Sequence, residues 1–312
     1  MSAWVPSTAA LLPAAALALA FWIDRRFGEP RDAWHPVAWL GLAIMPLQRW
    51  LPTLAPRAAF AAGTLAWWLV VGSVAALAAL LQAALLQLPA WAALPLLALA
   101  LKPAFAWRML RDEVAAVERA FADGGLAAAR QRLRSLCSRD VEQLDARTVR
   151  ETAIETLAEN LNDSFVAPLF WFCVAGLPGA WAWRAVNTLD AMWGYRGRWE
   201  WAGKWAARAD DALGWLPARL TAALLWRPAI GLAPLWHEAG RTPSPNGGWP
   251  MGAMALRLGV RLGKPGVYTL NDDGRDADAA ALERALAIAG QAAAGALVAA
   301  LIWLMGSATW TG

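Results

Sequence analysis

Long apolar segments with almost no basic residues are the feature that most restricts the fold of this 312-residue chain. Four stretches, 8–23, 60–83, 90–107 and 286–305, come close to the about 20 apolar residues that a membrane-spanning helix requires. The chain is 59% hydrophobic and 17% charged, whereas soluble domains contain about 25% charged residues. No segment has the period-two alternation of strands. We therefore predict an all-α, polytopic integral membrane protein with four transmembrane helices.

The basic residues predict the orientation of these helices. All 28 Lys and Arg residues lie within 24–57 and 102–284, and the positive-inside rule places such segments in the cytoplasm. We expect a single membrane-embedded helical domain over 1–312, whose polar segments 24–57 and 108–285 face the cytoplasm and carry the candidate functional site. The net charge of +4 and the absence of a basic cluster with interleaved aromatic residues argue against nucleic acid as a partner.

Two further apolar stretches are interrupted, 165–183 by Pro168 and "GLPG", and 219–236 by Arg227-Pro228 and Pro234. A single crossing by 165–183 would move the following basic segment to the outside, against the charge rule. We therefore favour one or two re-entrant or surface-lying helical hairpins, which are tolerated where protein covers the backbone. Two additional full crossings are the alternative.

Acidic residues recur every four positions in the stretch "ETAIETLAENLND", and they are Glu151, Glu155, Glu159 and Asp163. On a helix they form one polar stripe, with Asn160 beside it. No Lys or Arg occurs between Arg150 and Arg184. A solvated polar face is the ordinary explanation of such a stripe. Crowded carboxylates without basic partners also suit Mg²⁺, which proteins hold with one or two carboxylates plus substrate phosphates.

A second polar cluster lies in 184–211. Asn187 and Asp190 are three residues apart and share a helix face, and Asp210 and Asp211 follow, with Arg208 nearby. Taken alone, this pattern also fits a helix cap and an ion pair with a neighbouring arginine. The repetition of Asn with Asp or Glu beside both interrupted apolar stretches favours a shared function.

Two shorter motifs complete the candidate site. The prolines and glycines of "RTPSPNGGWP" (241–250) predict a turn without helix, and a tight turn of this kind can present backbone N–H groups to an anion. An ordinary connecting turn is the alternative. His35 precedes Pro36, which can open a helix, so His35 is either a polar residue at a helix start or a functional group. No P-loop motif is present.

Several segments together resemble the CobD/CbiB family, the membrane-bound adenosylcobinamide-phosphate synthases of cobalamin biosynthesis. They are "GEPRDAWHPVAWLG", "SRD", "ETAIETLAENLNDSFVAPLFWF", "AVNTLDAMWGY", "WAARADDALGWLPARLTA" and "SPNGGWPMGAMALRLGVRLG". They run from about residue 24 to 263. The stretch "YTLNDDGRDAD" that follows departs from the pattern of the family.

The resemblance implies ATP-dependent amide-bond formation. The free propionate of adenosylcobyric acid is joined to aminopropanol or its phosphate, giving adenosylcobinamide or its phosphate. The carboxylate must be activated, for which an acyl phosphate is the expected route, and the ATP phosphates require Mg²⁺. The resemblance thus implies Mg²⁺ and ATP as cofactors. The lipid bilayer and other membrane enzymes of the corrinoid pathway are the candidate partners.

The resemblance also assigns positions to the site. The catalytic candidates are Glu155, Glu159, Asn160, Asp163, Asn187, Asp190 and His35. The metal-ligand candidates are Glu155, Glu159, Asp163, Asp190, Asp210 and Asp211. The candidates for nucleotide and phosphate contacts are Arg139, Arg208, Ser244, Asn246, Gly247 and Gly248. For His35, a proton shuttle and a corrin contact are both open.

Two other functions remain open at this stage. A Mg²⁺-dependent membrane prenyltransferase or phosphotransferase would also place acidic clusters on helices. A non-enzymatic membrane regulator related to the AmpE proteins would not need its acidic residues, and their presence here favours an enzyme.

Overall fold

Eleven α-helices form almost all of the regular structure in the computed structural model, which describes residues 8–137 and 139–308. They are α1 Thr8–Phe27, α2 Pro36–Trp50, α3 Pro56–Leu85, α4 Ala90–Leu101, α5 Trp107–Leu133, α6 Ala146–Leu161, α7 Ala167–Trp193, α8 Lys204–Leu225, α9 Leu232–Ala239, α10 Gly248–Leu258 and α11 Ala279–Ala308. Two three-residue strands, β1 Leu262–Lys264 and β2 Tyr268–Leu270, pair antiparallel. The predicted helical fold is confirmed. Ser138 of the "SRD" motif lies outside the described residues.

Four helical stretches in this described part are long and apolar enough to cross a membrane. They are Pro56–Leu85, Ala90–Leu133, Ala146–Trp193 and Ala279–Ser307. The first, second and fourth of these contain the predicted spans 60–83, 90–107 and 286–305. The third contains the stretch 165–183, for which we favoured a hairpin. The predicted span 8–23 forms most of α1, which is not one of the four.

The apolar stretch within α7 is interrupted in its middle. Ala175 and Gly176 have non-helical backbone angles, and Gly176 has a φ of 66°, a conformation that glycine adopts without steric cost. Gln82 of α3 reaches the break, where its Oε1 accepts the Leu177 N–H at 2.8 Å. The second half of α7 therefore begins with a satisfied backbone donor, and the interruption predicted from "GLPG" is confirmed.

The second interrupted stretch breaks where Arg227 and Pro228 predicted it. Helix α8 ends at Leu225, and α9 begins at Leu232. The Trp226 side chain closes the intervening turn by donating Nε1–H to the Gly231 carbonyl at 3.0 Å. Whether this hairpin lies on the membrane surface or enters it stays a prediction.

The chain divides into two compact units. The first comprises the described parts of 1–106, 167–213 and 297–312, and the second comprises 107–166 and 214–296. In the first unit, α3 packs along α7 and α1 packs along α4. Trp67 and Trp193 are among the residues of its buried core. The expectation of one domain over the whole chain stays a prediction.

In the second unit, α6 is the central element. It contacts α5, α10 and β1, and Ile154 and Leu157 are completely buried. Arg150 fixes α6 to α5, because its guanidinium donates two hydrogen bonds of 2.7 Å to the Glu118 carboxylate. This packing places the acidic stripe of α6 inside the unit.

The stretch 241–250 differs from its prediction in one respect. Residues 240–247 form turns, as expected, but α10 begins at Gly248 and includes Pro250. A proline in the first helical turn replaces an N–H that would have no partner within the helix. Our expectation that the prolines and glycines exclude a helix throughout this stretch was therefore wrong.

Candidate active site

The acidic stripe of α6 faces the protein interior at its N-terminal half. Glu151 is 4% exposed and Glu155 is 2% exposed, whereas Glu159 is exposed. The helix begins at the Asp145 cap, whose side chain accepts the Thr148 N–H at 2.7 Å. A solvated polar face therefore does not explain the first two acids.

Arg139 supplies the positive charge beside Glu155, whereas Arg147 of α6 itself pairs with Glu151, at 3.4 Å. Its Nη2 donates to Glu155 Oε2 at 3.0 Å, and its Nη1 donates to Thr152 Oγ1 at 2.8 Å. A longer hydrogen bond of 3.4 Å reaches the Gly263 carbonyl in β1. The other carboxylate oxygen, Glu155 Oε1, is buried and has no hydrogen-bond partner of standard geometry in the part of the chain that the structure describes, although the Tyr268 hydroxyl lies close enough to this carboxylate to stabilise its charge. Such an atom calls for an explanation, because buried polar atoms are almost always paired.

Tyr268 of β2 lies close to the same carboxylates. Burial, together with the negative charges of Glu155 and Glu159, raises the pKa of the Tyr268 hydroxyl, and the charge of Arg139 opposes this shift. The phenol is therefore protonated at neutral pH and can donate a hydrogen bond. Sequence reasoning did not single out this residue, which begins "YTLNDDGRDAD", the stretch that departs from the pattern of the family.

The predicted phosphate-binding turn lies beside Glu159. A Cβ atom added to Gly247 would be 3.3 Å from Glu159 Oε1, so glycine allows the close approach. Ser244 Oγ accepts the N–H groups of Asn246 and Gly247 at 3.2 and 3.4 Å. A Cβ at Gly248 would lie 2.3 Å from the Ala239 carbonyl. The turn is thus compact, and part of its donor capacity is used internally.

Arg219 of α8 holds this turn in place and was not singled out from the sequence. Its Nη1 donates to Asn246 Oδ1 at 3.1 Å, and its Nη2 donates to the Pro245 carbonyl at 3.3 Å. The guanidinium also lies over the rings of Trp215 and Trp249, at 4.2 and 4.7 Å from their centroids. Stacking and hydrogen bonding together orient the guanidinium group.

Asp163 lies just beyond the end of α6. A π-helical turn, Asn162–Val166, follows α6, and its wider hydrogen-bonding pattern shifts the register of the side chains. Asn162 Nδ2 donates to Asp163 Oδ1 at 2.7 Å, while Asn162 Oδ1 accepts from Thr221 Oγ1 at 3.0 Å. Asn160 Nδ2 donates to the Thr156 carbonyl at 3.1 Å. Asn160 therefore bonds its own helix.

The second predicted cluster belongs to the first unit. Asp190 and Asp211 are close enough for their negative charges to interact, and a Cβ on Gly194 would lie 2.1 Å from Asp190 Oδ1. Asn187 and Asp210 are half-buried, whereas Arg208 is exposed. The convergence of this cluster with the acids of α6, which lie in the other unit, stays a prediction.

No group of three or more His, Cys, Asp or Glu side chains is arranged to hold a metal ion within residues 8–137 and 139–308. A preformed cage of the six predicted ligands is thus not seen in this range. Glu155 and Glu159 nevertheless lie near the same Tyr268 hydroxyl, and Glu155 Oε1 has unused acceptor capacity. These two carboxylates fit a Mg²⁺ site that is completed by substrate phosphates.

His35 forms the N-cap of α2. Its Nδ1 accepts the Val37 N–H at 3.2 Å, so Nε2 carries the proton in the neutral ring and donates to Glu29 Oε2 at 2.9 Å. Both nitrogen atoms are thus engaged by the chain itself, which favours a helix-start role. The roles of proton shuttle and corrin contact stay predictions.

Glu29 connects His35 to a buried ion cluster. Lys102 Nζ contacts Glu29 Oε1 at 2.5 Å and Asp24 Oδ1 at 3.1 Å. Burial favours the neutral form of Glu29, but the His35 hydrogen bond and the charge of Lys102 outweigh it and lower the pKa of Glu29. The ion pairs of this cluster therefore connect the C-terminal end of α1, the residue that follows α4 and the loop before α2.

Comparison with known proteins decides the family. The family model described as "CobD/Cbib protein" matches residues 17–305. The chain belongs to the CobD/CbiB family. The resemblance seen in the motifs is confirmed, and the match includes all the candidate residues of both units.

Individual relatives agree over most of their length. The cobalamin biosynthesis protein CobD of Rhodobacter capsulatus is 39% identical over 301 residues, covering 90% of this chain and 94% of the relative. The protein of the same name from Dehalococcoides mccartyi is 38% identical, covering 82% and 85%. A probable CobD of Pyrococcus abyssi is 42% identical, with the same coverage. No solved structure matches the chain.

Proposed function

We propose that this CobD/CbiB protein catalyses an ATP-dependent amide-bond formation in cobalamin biosynthesis, joining the free propionate of adenosylcobyric acid to aminopropanol or its phosphate. Membership of the family and the names of its relatives support the pathway. The observation that carries the site is the buried Arg139–Glu155 pair, with one carboxylate oxygen unused beside Glu159.

The proposed division of roles follows from these contacts. Glu155 and Glu159 would hold Mg²⁺ together with substrate phosphates. Bound Mg-ATP would supply the phosphoryl group that activates the propionate, and the metal would neutralise its charge. Arg139 fixes the orientation of Glu155 by two hydrogen bonds to α6. The protonated Tyr268 hydroxyl can donate to a carboxylate or to a substrate oxygen.

The turn at 244–248 is the proposed boundary of the phosphate site. It is close to Glu159, and Arg219 holds it through Asn246 and Pro245. A fixed turn supports catalysis because phosphoryl transfer depends mainly on positioning and charge stabilisation. We place this site on the cytoplasmic side of the inner membrane, where the basic segments are expected to lie. Other membrane enzymes of the corrinoid pathway are the proposed protein partners.

The decisive experiment is rescue of a cobalamin auxotroph that lacks this step. The wild-type gene is expected to restore growth without added cobinamide. Purified protein in detergent micelles should form an amide product from adenosylcobyric acid, ATP and Mg²⁺, and parallel assays with aminopropanol and its phosphate identify the amine substrate. Product formation from an isoprenoid diphosphate instead would establish the transferase alternative, and failure of rescue by a correctly inserted protein would favour a regulator.

Variants of the site test the residues. Glu159→Ala and Asp163→Ala are expected to abolish activity while membrane insertion remains normal. Glu283→Ala is the matched control, because Glu283 is an exposed acid outside the site. Full activity in both site variants would refute the assignment.

A further inference from the structure

An open cavity of about 430 Å³ lies where the α8–α9 turn meets the C-terminal end of α10. Its lining residues are Arg227, Ala229, Ile230, Pro234, Leu256 and Arg257. All belong to the second unit, and none is a candidate for the amide-forming site. The cavity therefore combines two guanidinium groups with an otherwise apolar wall.

The two arginines of this cavity have no acidic partner in the described ranges of the chain. Arg257 donates to the Leu225 carbonyl and to Gln291 Oε1, at 3.0 Å each, and both acceptors are neutral. Burial and the charge of Arg227 lower the pKa of Arg257, so the two guanidinium groups are close enough to repel each other. An anion placed between them would relieve this repulsion and accept hydrogen bonds from both.

The surface beside the cavity is apolar. On α9, Leu235 is buried and faces the unit, whereas Leu232 and Trp236 are 69% and 72% exposed. These two residues are four positions apart and so share one helix face. An exposed apolar helix face with tryptophan is typical of a segment that lies in the interface of a bilayer.

We propose that this cavity binds the phosphate headgroup of an anionic phospholipid, with Arg227 and Arg257 on the phosphate and the Leu232–Trp236 face in the acyl-chain boundary. Arginine suits this role because its planar donors match phosphate geometry. The apolar face selects a lipid over a free phosphate ion, and Arg257 is hydrogen-bonded to Gln291 of α11, a helix that is long and apolar enough to cross a bilayer. Basic pockets at the membrane surface are known to bind lipid headgroups.

The test is lipid binding to the purified full-length protein, measured by native mass spectrometry in detergent. Phosphatidylglycerol is titrated against wild type, Arg227→Gln and the control Arg284→Gln, which removes the same charge from an exposed residue outside the cavity. Arg227 is exposed and makes no ion pair within the described residues, so its replacement should not disturb folding. We expect about fivefold weaker binding of phosphatidylglycerol by Arg227→Gln, and no change in the control.

Two further arms distinguish the source of the phosphate. Phosphatidylcholine, whose phosphate charge is balanced by its own choline cation, should bind more weakly than phosphatidylglycerol and should respond less to Arg227→Gln. Trp236→Ala should weaken the binding of phosphatidylglycerol, while inorganic phosphate should compete poorly. Equal phosphatidylglycerol binding by wild type and Arg227→Gln would overturn the proposal, as would inorganic phosphate that displaces the lipid at equal concentration.

Discussion

Replacing either member of the Arg139–Glu155 pair tests how the central helix of the second unit is stabilised. Removing one partner of a buried ion pair costs about 3–5 kcal/mol, because the other charge stays buried without compensation. The two residues differ in the hydrogen bonds that each keeps when the other is replaced. After Glu155→Gln, Arg139 keeps its hydrogen bonds to Thr152 and Gly263 and its side chain is 15% exposed. We therefore expect a loss of about 3 kcal/mol.

Arg139→Met should cost more. Glu155 is 2% exposed, and its Oε1 already has no hydrogen-bond partner of standard geometry among the described residues. Loss of Arg139 leaves the whole carboxylate buried without its ion partner. We expect a loss near the upper end of the range, about 5 kcal/mol.

The assay is unfolding of the purified protein in detergent, followed by circular dichroism over a denaturant series, for wild type, both single variants and the double variant. The double variant should lose less than the sum of the single losses, because removing both charges removes the penalty of leaving one alone. Glu159→Gln is the control, and since Glu159 is exposed, its stability should change by less than about 1 kcal/mol. Strictly additive losses, or equal losses for Glu155→Gln and Glu159→Gln, would refute the reasoning.

Three other predictions concern the first unit. Lys102→Met should lower the free energy of unfolding by about 3–5 kcal/mol, because Lys102 is the ion partner of the buried carboxylates of Asp24 and Glu29; an unchanged unfolding midpoint would contradict this. The pKa of Glu29 is lowered in the folded state, so its contribution to stability should be complete above the unfolded pKa of 4.5 and should disappear as the pH falls through the lowered folded pKa. Glu29→Gln should therefore flatten the pH dependence of the free energy of unfolding below pH 4.5. The same pH dependence below pH 4.5 in wild type and variant would exclude this. Gln82→Ala should lower the free energy of unfolding by about 1–3 kcal/mol, because the Leu177 N–H loses its acceptor. Gln82→Glu keeps an acceptor oxygen and should cost less. The reverse order of stability in thermal unfolding would rule out this capping role.

The candidate site was only partly accessible to sequence reasoning. The spacing of Glu155 and Glu159 indicated that both carboxylates lie on one face of a helix, because residues four positions apart share a face. The spacing also placed Asp163 on that face, but Asp163 lies in the π-helical turn after Leu161, where the hydrogen-bonding pattern differs from that of an α-helix, and its place in the site stays a prediction. A turn of this kind depends on how the segment packs, and its amino-acid sequence carries no clear signal for it.

The sequence by itself determined the helical class, most of the spans of membrane length, the family, and the interruptions at Gly176 and Pro228. These properties follow from local hydropathy and from the backbone limits of glycine and proline. Only the tertiary structure decided that Glu155 is buried against Arg139, 16 residues away, and that Tyr268 lies beside it. Such pairings depend on how distant segments pack around α6, and a periodicity carries information about one face of a helix but none about what covers it.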